Sequence, residues 1–287
     1  MSNENFMRRY ILRCGKMGSN GFEIGHINSA SDDALHISFS IEKSDTESAN
    51  TAKVQIWNLS NKNLKVLDSK DCILELKAGY GENTPLALVG SISSVITTRD
   101  NADRMTEIEV VDGRVGLRDA NVSISMNGKV NSKKVYELLA NKMGMPMVFA
   151  SDLKFKTFPK GFSFVGKART CLQKLATYNK HRWTIQNEII QITNPGKAIS
   201  SRAFLLNKET GLIGIPKQIT LSTDANNSKT RNGYEIEYLM NCSIGVNDVI
   251  ELDSTTAKGY FRVYKLTIDG DNLEGDWCCT AQVLKIK

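Results

Sequence analysis

Apolar and polar side chains alternate along residues 35–113 in short segments separated by turn residues. In Leu35-His36-Ile37-Ser38-Phe39-Ser40-Ile41 the apolar residues hold every second position, and a period of two puts them on one face of an extended strand. Ala52, Val54, Ile56 and Leu59 repeat the pattern and run into a polar exit at Asn58, Ser60 and Asn61. Residues 73–81, residues 86–96 interrupted by Gly90, and residues 105–111 before Asp112-Gly113 give further segments of the same kind. Strands spaced about ten residues apart predict a small antiparallel barrel or sandwich. The polar run at residues 42–50 reads as an exposed loop between the first two of these strands. Ahead of them, residues 9–14 predict a short strand, followed by a Gly- and Ser-containing hairpin-like segment and Phe22-Glu23-Ile24.

Near residue 128 the period changes. Asn131 or Ser132 can cap a helix in which Val135, Leu138 and Leu139 share a face, and Gly144 and Pro146 stop it. A second helix is predicted over residues 168–179, with Ala168, Cys171, Leu172, Leu175 and Ala176 as its apolar stripe and Lys167, Arg169, Lys174, Lys180 and Arg182 mostly off it. Residues 182–192 read as a hairpin turning near Gln186-Asn187, and Asn194-Pro195-Gly196 closes a compact α+β module. The final third returns to strands at 219–221, 233–240, 249–252, 259–268 and 277–286, with turns at 224–227, 245–248 and 269–272. A second small β-domain follows from this spacing.

The reading is therefore mainly β with an α+β insert: two small antiparallel β-barrel-like domains joined by a module with two helices. The divisions are 1–120, 121–200 and 201–287, and strand 122–126 is open to assignment to either β-domain. A length of 287 residues suits about two average domains. No apolar run reaches the length that spans a bilayer, and the N-terminus lacks the apolar core of a secretory signal, so folding in the cytoplasm is expected.

Charge changes the picture in one place. Residues 121–200 hold 13 Lys and Arg against 3 Asp and Glu, although the whole chain carries only +6. Such a module can neutralise phosphates, with Trp183, Phe155, Phe158, Phe162 or Phe164 stacking on bases, or meet an acidic protein neighbour. It can equally be a set of solvated helix faces over an aromatic core.

Candidate chemistry is sparse. Cys14, Cys72, Cys171, Cys242, Cys278 and Cys279 lack the spacing of a zinc site or redox pair, and His26, His36 and His181 are far apart. Cys278 and Cys279 lie in an apparent strand, where adjacent side chains point to opposite faces. Gly15-Lys16-Met17-Gly18-Ser19 lacks the order of a phosphate loop. Asp269, Asp271, Glu274 and Asp276 lack the register of a calcium loop and read as a solvated hairpin tip. His181 has no visible catalytic partner and reads as a helix-end residue beside backbone carbonyls. No catalytic, cofactor-binding or metal-ligating residues are assigned, no enzyme activity is expected, and interaction residues stay unassigned.

The order of segments resembles the baseplate hub proteins of contractile-tailed phages, a family related to the hub parts of R-type pyocins and type VI secretion spikes. The likeness rests on residues 52–60, on Leu76-Lys77-Ala78-Gly79-Tyr80 and on Val89-Gly90-Ser91-Ile92. Near the C-terminus it rests on residues 242–250, on Gly259-Tyr260-Phe261-Arg262-Val263 and on residues 270–277, which look like a G-D-x-x-G-x-W hairpin with one residue more between Asp271 and Gly275. Ile268-Asp269 departs from relatives that carry a histidine before the glycine. The resemblance implies a structural virion protein of the tail baseplate, assembled in the host cytoplasm. Its trimeric ring would adapt a sixfold tail tube to a threefold spike. It implies as partners its own copies, a separate spike protein and the tail tube protein, with the tape measure protein and baseplate wedge beyond them. It implies no cofactor and no membrane insertion, and nucleic acid only as the passing genome. Two alternatives stand beside it: a tail-tube or distal-tail protein forming sixfold rings, and a β-rich nucleic-acid or carbohydrate-binding module.

Overall fold

In the computed structural model, residues 7–16, 21–25, 34–100, 102–113, 120–200, 202–222 and 230–286 are described. The chain is mainly β, with antiparallel sheets and a small helical insert. Its first part contains β1 (Arg8–Lys16), β2 (Phe22–Ile24), β3 (Ile37–Ser44), β4 (Thr51–Trp57), β5 (Cys72–Tyr80), β6 (Leu86–Asp100) and β7 (Asp103–Val111). The alternation predicted for β3 and β4 is observed: Ile37, Phe39, Ile41, Ala52, Val54 and Ile56 are all buried, with polar neighbours between them facing outward. Gly90 does not break β6, because the ladder to β5 continues through Leu74↔Gly90. A short helix, α1 (Asn61–Leu67), replaces the predicted polar exit; the Ser60 hydroxyl accepts from the Asn63 N–H at 3.3 Å and caps it.

The middle of the chain holds β8 (Asn121–Met126), β9 (Val130–Asn131), α2 (Ser132–Met143), β10 (Met147–Phe149), β11 (Thr157–Phe158), β12 (Phe162–Lys167), α3 (Ala168–Asn179), β13 (Arg182–Gln186) and β14 (Ile189–Thr193). Both helices fall where their periodicity places them. Asn131 caps α2 through the Lys133 N–H, and Gly144 ends it at φ 66°. The hairpin turns at Asn187 and Glu188, whose φ values of 53° and 62° suit the twist of a two-residue turn. The strand left open by the sequence, β8, pairs with β12 through six registered positions, from Asn121↔Lys167 to Met126↔Phe162.

The last part contains β15 (Ala203–Leu206), β16 (Leu212–Ser222), β17 (Thr230–Leu239), β18 (Val249–Asp253), β19 (Lys258–Asp271) and β20 (Trp277–Lys285). The predicted turn at 224–227 lies outside the described residues. The turn expected at 269–272 is displaced, because β19 stays in the ladder through Asp271 and the chain reverses after it. β15, unmarked in the sequence, pairs parallel to β18.

These strands form one 13-stranded sheet with the order β16-β17-β20-β19-β3-β4-β7-β6-β5-β1-β2, and β15-β18 attached at β19. β19 holds the two ends of the chain together. One edge carries β20. The other carries β18 along residues 258–262 and then β3 along residues 265–271, with a register shift between Val263 and Lys265 where one partner gives way to the next. Buried side chains from both sides of this seam, from Tyr10 to Val283, form one apolar cluster. A second cluster, including Val122, Tyr136, Leu172, Trp183 and Ile190, lies wholly within the middle module. The two clusters share no residue.

Candidate functional site

The joint between the two cores is a buried polar network, built from the stretch that the sequence presents as an exposed loop. β3 continues its alternation past Ile41, which turns Lys43 inward, and Asp45 and Asn50 follow it into the interior; they are 5%, 1% and 3% exposed. The expected loop is therefore corrected: polarity at an inward position marks a partnered group, since an unpaired charge would be too costly there.

Asp45 is the centre of one half. Its Oδ2 accepts from Arg262 Nη1 of β19 at 2.6 Å, and its backbone carbonyl accepts from Arg182 Nη2 of β13 at 2.8 Å. Arg182 Nε faces Asp45 Oδ1 at 3.6 Å, within ion-pair range and beyond a hydrogen bond. Arg262 Nη1 also donates to Asn247 Oδ1, and Asn247 Nδ2 donates to Gln191 Oε1 of β14 at 3.1 Å. Asn50 and Asp112 make the other half. Asn50 Nδ2 donates to the Ile185 carbonyl at 2.7 Å, while the Asp112 carboxylate accepts from the N–H groups of Asn187 and Glu188, both at 2.7 Å. Gly113 N–H donates to Glu188 Oε1 at 2.8 Å, and Lys43 Nζ donates to Asn187 Oδ1 at 2.7 Å. Burial pushes the carboxyls of Asp112 and Glu188 up and the Lys43 ammonium down. The β13–β14 hairpin is thus plugged into the sheet from two sides. This arrangement fixes orientation; its carboxylates are engaged by donors rather than turned to a cleft.

The residues singled out in the sequence are dispersed. Trp183 is 1% exposed and its indole N–H donates to Gln173 Oε1 at 2.8 Å, so it is closed to a base. Phe155, Phe158, Phe162 and Phe164 pack against the module core. Lysine stems cover the neighbouring rings: Lys174 Nζ stands 5.2 Å over Phe164, and Lys156 Nζ 5.1 Å over Tyr178. His181 follows the Lys180 C-cap of α3, its N–H donating to the Ala176 carbonyl at 2.9 Å and its Nε2 facing the Lys154 carbonyl at 3.1 Å. Burial keeps its pKa below the usual value. His26 and most of the Gly15–Ser19 run lie outside the described residues.

Of the acidic group, Asp271 organises the β19–β20 turn. Its Oδ1 accepts from the N–H groups of Leu273 and Glu274 at 2.9 and 3.0 Å, and its Oδ2 meets His36 Nε2 at 3.0 Å. His36 in turn stacks on Trp57 with centroids 3.9 Å apart. Asp269, Asp271, Glu274 and Asp276 line a shallow groove of about 310 Å³ beside Lys53. Among the described residues no three His, Cys, Asp or Glu side chains converge as metal ligands. Cys279 is buried and Cys278 half-buried, on opposite faces of β20 as the alternation requires; the six cysteines are free thiols.

The 43 kDa tail protein of prophage MuSo2 from Shewanella oneidensis matches with a TM-score of 0.63 at 9% identity, over 97% of each chain. A tail protein from Neisseria meningitidis MC58 matches at 0.61 and 9% identity, over 98% of this chain and 97% of that one. The fold is that of phage tail proteins. An E. coli component of the type VI secretion system, described as structurally similar to the T4 bacteriophage tail proteins gp27 and gp5, shares it at 0.60 and 9% identity, over 90% of this chain and 76% of its own. No protein-family model matches the sequence. No curated protein matches it either.

Proposed function

We propose that this protein is a structural component of a phage tail, the central hub of the baseplate, and that three copies form a ring. The ring adapts a sixfold tail tube to a threefold spike. The observation that carries this reading is the agreement of fold with two tail proteins over nearly the whole of each chain.

The sheet supports the finer part. The β3–β19 seam divides it into two sets of mostly antiparallel strands, β2-β1-β5-β6-β7-β4-β3 and β16-β17-β20-β19 with β18 and β15. Two comparable β units per copy present six around a threefold axis, and the edge strands at the two ends of the path can pair between copies instead of remaining open. The units correspond to residues 1–120 and 201–287, with 121–200 as the module between them. The chemistry is positioning and not catalysis. Its partners in this reading are its own copies, a spike protein and a tail tube protein.

The test is the mass of the purified protein in solution and its copy number in assembled tails. Three copies per tail support the hub. Six copies would favour a tube or distal-tail ring, and a monomer that never enters particles would refute both.

A further inference from the structure

We propose that Cys242, Cys279 and Met240 form a binding site for a single soft monovalent metal ion, Cu(I). Met240 follows β17 directly and Cys242 lies two residues on. Cys279 belongs to β20, which β17 pairs through Tyr238↔Cys279. Strand pairing thus brings together sulfurs up to 39 residues apart, which no ligand spacing in the sequence could reveal. Met240 Sδ is 3.5 Å from Cys242 Sγ and 4.0 Å from Cys279 Sγ. The three residues are 4%, 9% and 0% exposed in the order Met240, Cys242, Cys279.

Three sulfurs held about 2.3 Å from one ion in a plane stand about 4 Å from each other. The two separations from Met240 Sδ already approach two sides of that triangle. Two thiolates and a thioether are soft donors, and a three-donor set suits Cu(I), whereas structural zinc is held by four ligands.

The surroundings fit an occupied centre. Tyr238 is 1% exposed and stands opposite Cys279 in the β17–β20 ladder. Lys43 lies buried within electrostatic reach of both thiols. On binding, one Cu(I) replaces the two thiol protons, which leave to solvent, and no electron is transferred. The resulting centre carries one net negative charge. The Lys43 ammonium offsets it, and the Tyr238 O–H stands beside Cys279 as a donor to its thiolate.

The experiment is titration of the reduced full chain with Cu(I) under argon against a chromophoric Cu(I) chelator, followed by X-ray absorption at the copper edge. The site predicts one equivalent withheld from the chelator, sulfur-only neighbours at about 2.3 Å, and a higher Tm for the loaded protein. Met240→Leu and Cys242→Ser, checked for native circular dichroism, should each weaken retention at least tenfold, while Cys278→Ser leaves it unchanged. Should the two core variants fail to fold, the wild-type absorption spectrum and Cys278→Ser still decide. Failure of the wild type to compete, nitrogen or oxygen neighbours in the spectrum, or loss of the equivalent in Cys278→Ser would each overturn the proposal.

Discussion

Asp45 and Arg262, 217 residues apart in the chain, meet in a buried ion pair at 2.6 Å, with side chains 1% and 4% exposed. Asp45 follows β3 and Arg262 lies on β19, so the pair ties the first part of the chain to the last at the point where the middle module docks. Removing Asp45 leaves the Arg262 guanidinium buried and unmatched, while removing Arg262 leaves Asp45 only the longer pair with Arg182. Asp45→Asn should therefore cost about 3–5 kcal/mol in urea unfolding, and Arg262→Met somewhat less. The double variant should recover a large part of either loss. Additive costs in this cycle would show that the two side chains do not act as a pair.

The seam should be sensitive to a single methyl group. Gly270 lies opposite Phe39 across β19 and β3, and a Cβ at Gly270 would stand 2.3 Å from Phe39 Cζ. Phe39 cannot swing away easily: it is 3% exposed and meets Trp277 edge-on at 5.5 Å. Gly270→Ala is expected to destabilise by about 1–3 kcal/mol through overpacking. Adding Phe39→Leu to it should restore part of that loss. Near-ultraviolet circular dichroism from Trp277 checks the first effect, and an unperturbed Gly270→Ala would contradict the packing described.

Two sets of carboxyls should give opposite pH dependences. Burial raises the folded-state pKa of Asp112 and Glu188, so their contribution is fully present below the unfolded value of about 4 and is lost as pH rises through the folded one. Glu188→Gln keeps an acceptor for the Gly113 N–H and should remove part of that decline on the rising side.

Asp271 has the reverse sign. Burial pushes its carboxyl up, but the His36 side chain and the N–H groups of Glu274 and Leu273 outweigh it and leave the pKa low. Its contribution is present above the unfolded value of about 4 and is lost as pH falls through the folded one. Asp271→Asn should flatten the acid limb alone. Unfolding curves for the two variants that run parallel to wild type at every pH would contradict both assignments.

Local pattern was enough to read the strands whose burial alternates and the two longer helices. Ile37, Phe39 and Ile41 declare their face, and the stripe of α3 from Ala168 to Ala176 declares its own. What could not be read depends on distant partners. Asp45, Asn50 and Lys43 look solvated by type, and only Arg262, Ile185 and Asn187 from elsewhere in the chain make them interior residues. A signal was present all the same, since extending the period of β3 beyond Ile41 turns Lys43 inward. α1 escaped because it is 7 residues long and buries only Leu67 fully. β15 escaped because its 4 residues pair in parallel with a strand more than forty positions away.

In the proposed hub, two strand sets in one polypeptide let three copies present six units around an axis. A reconstruction of the assembled tail, computed without imposed symmetry at the level between tube and spike, tests it most directly. The account predicts three copies of this chain, each contributing two β units to a closed ring. Six copies at that level, or three that each place only one unit on the ring, would contradict it.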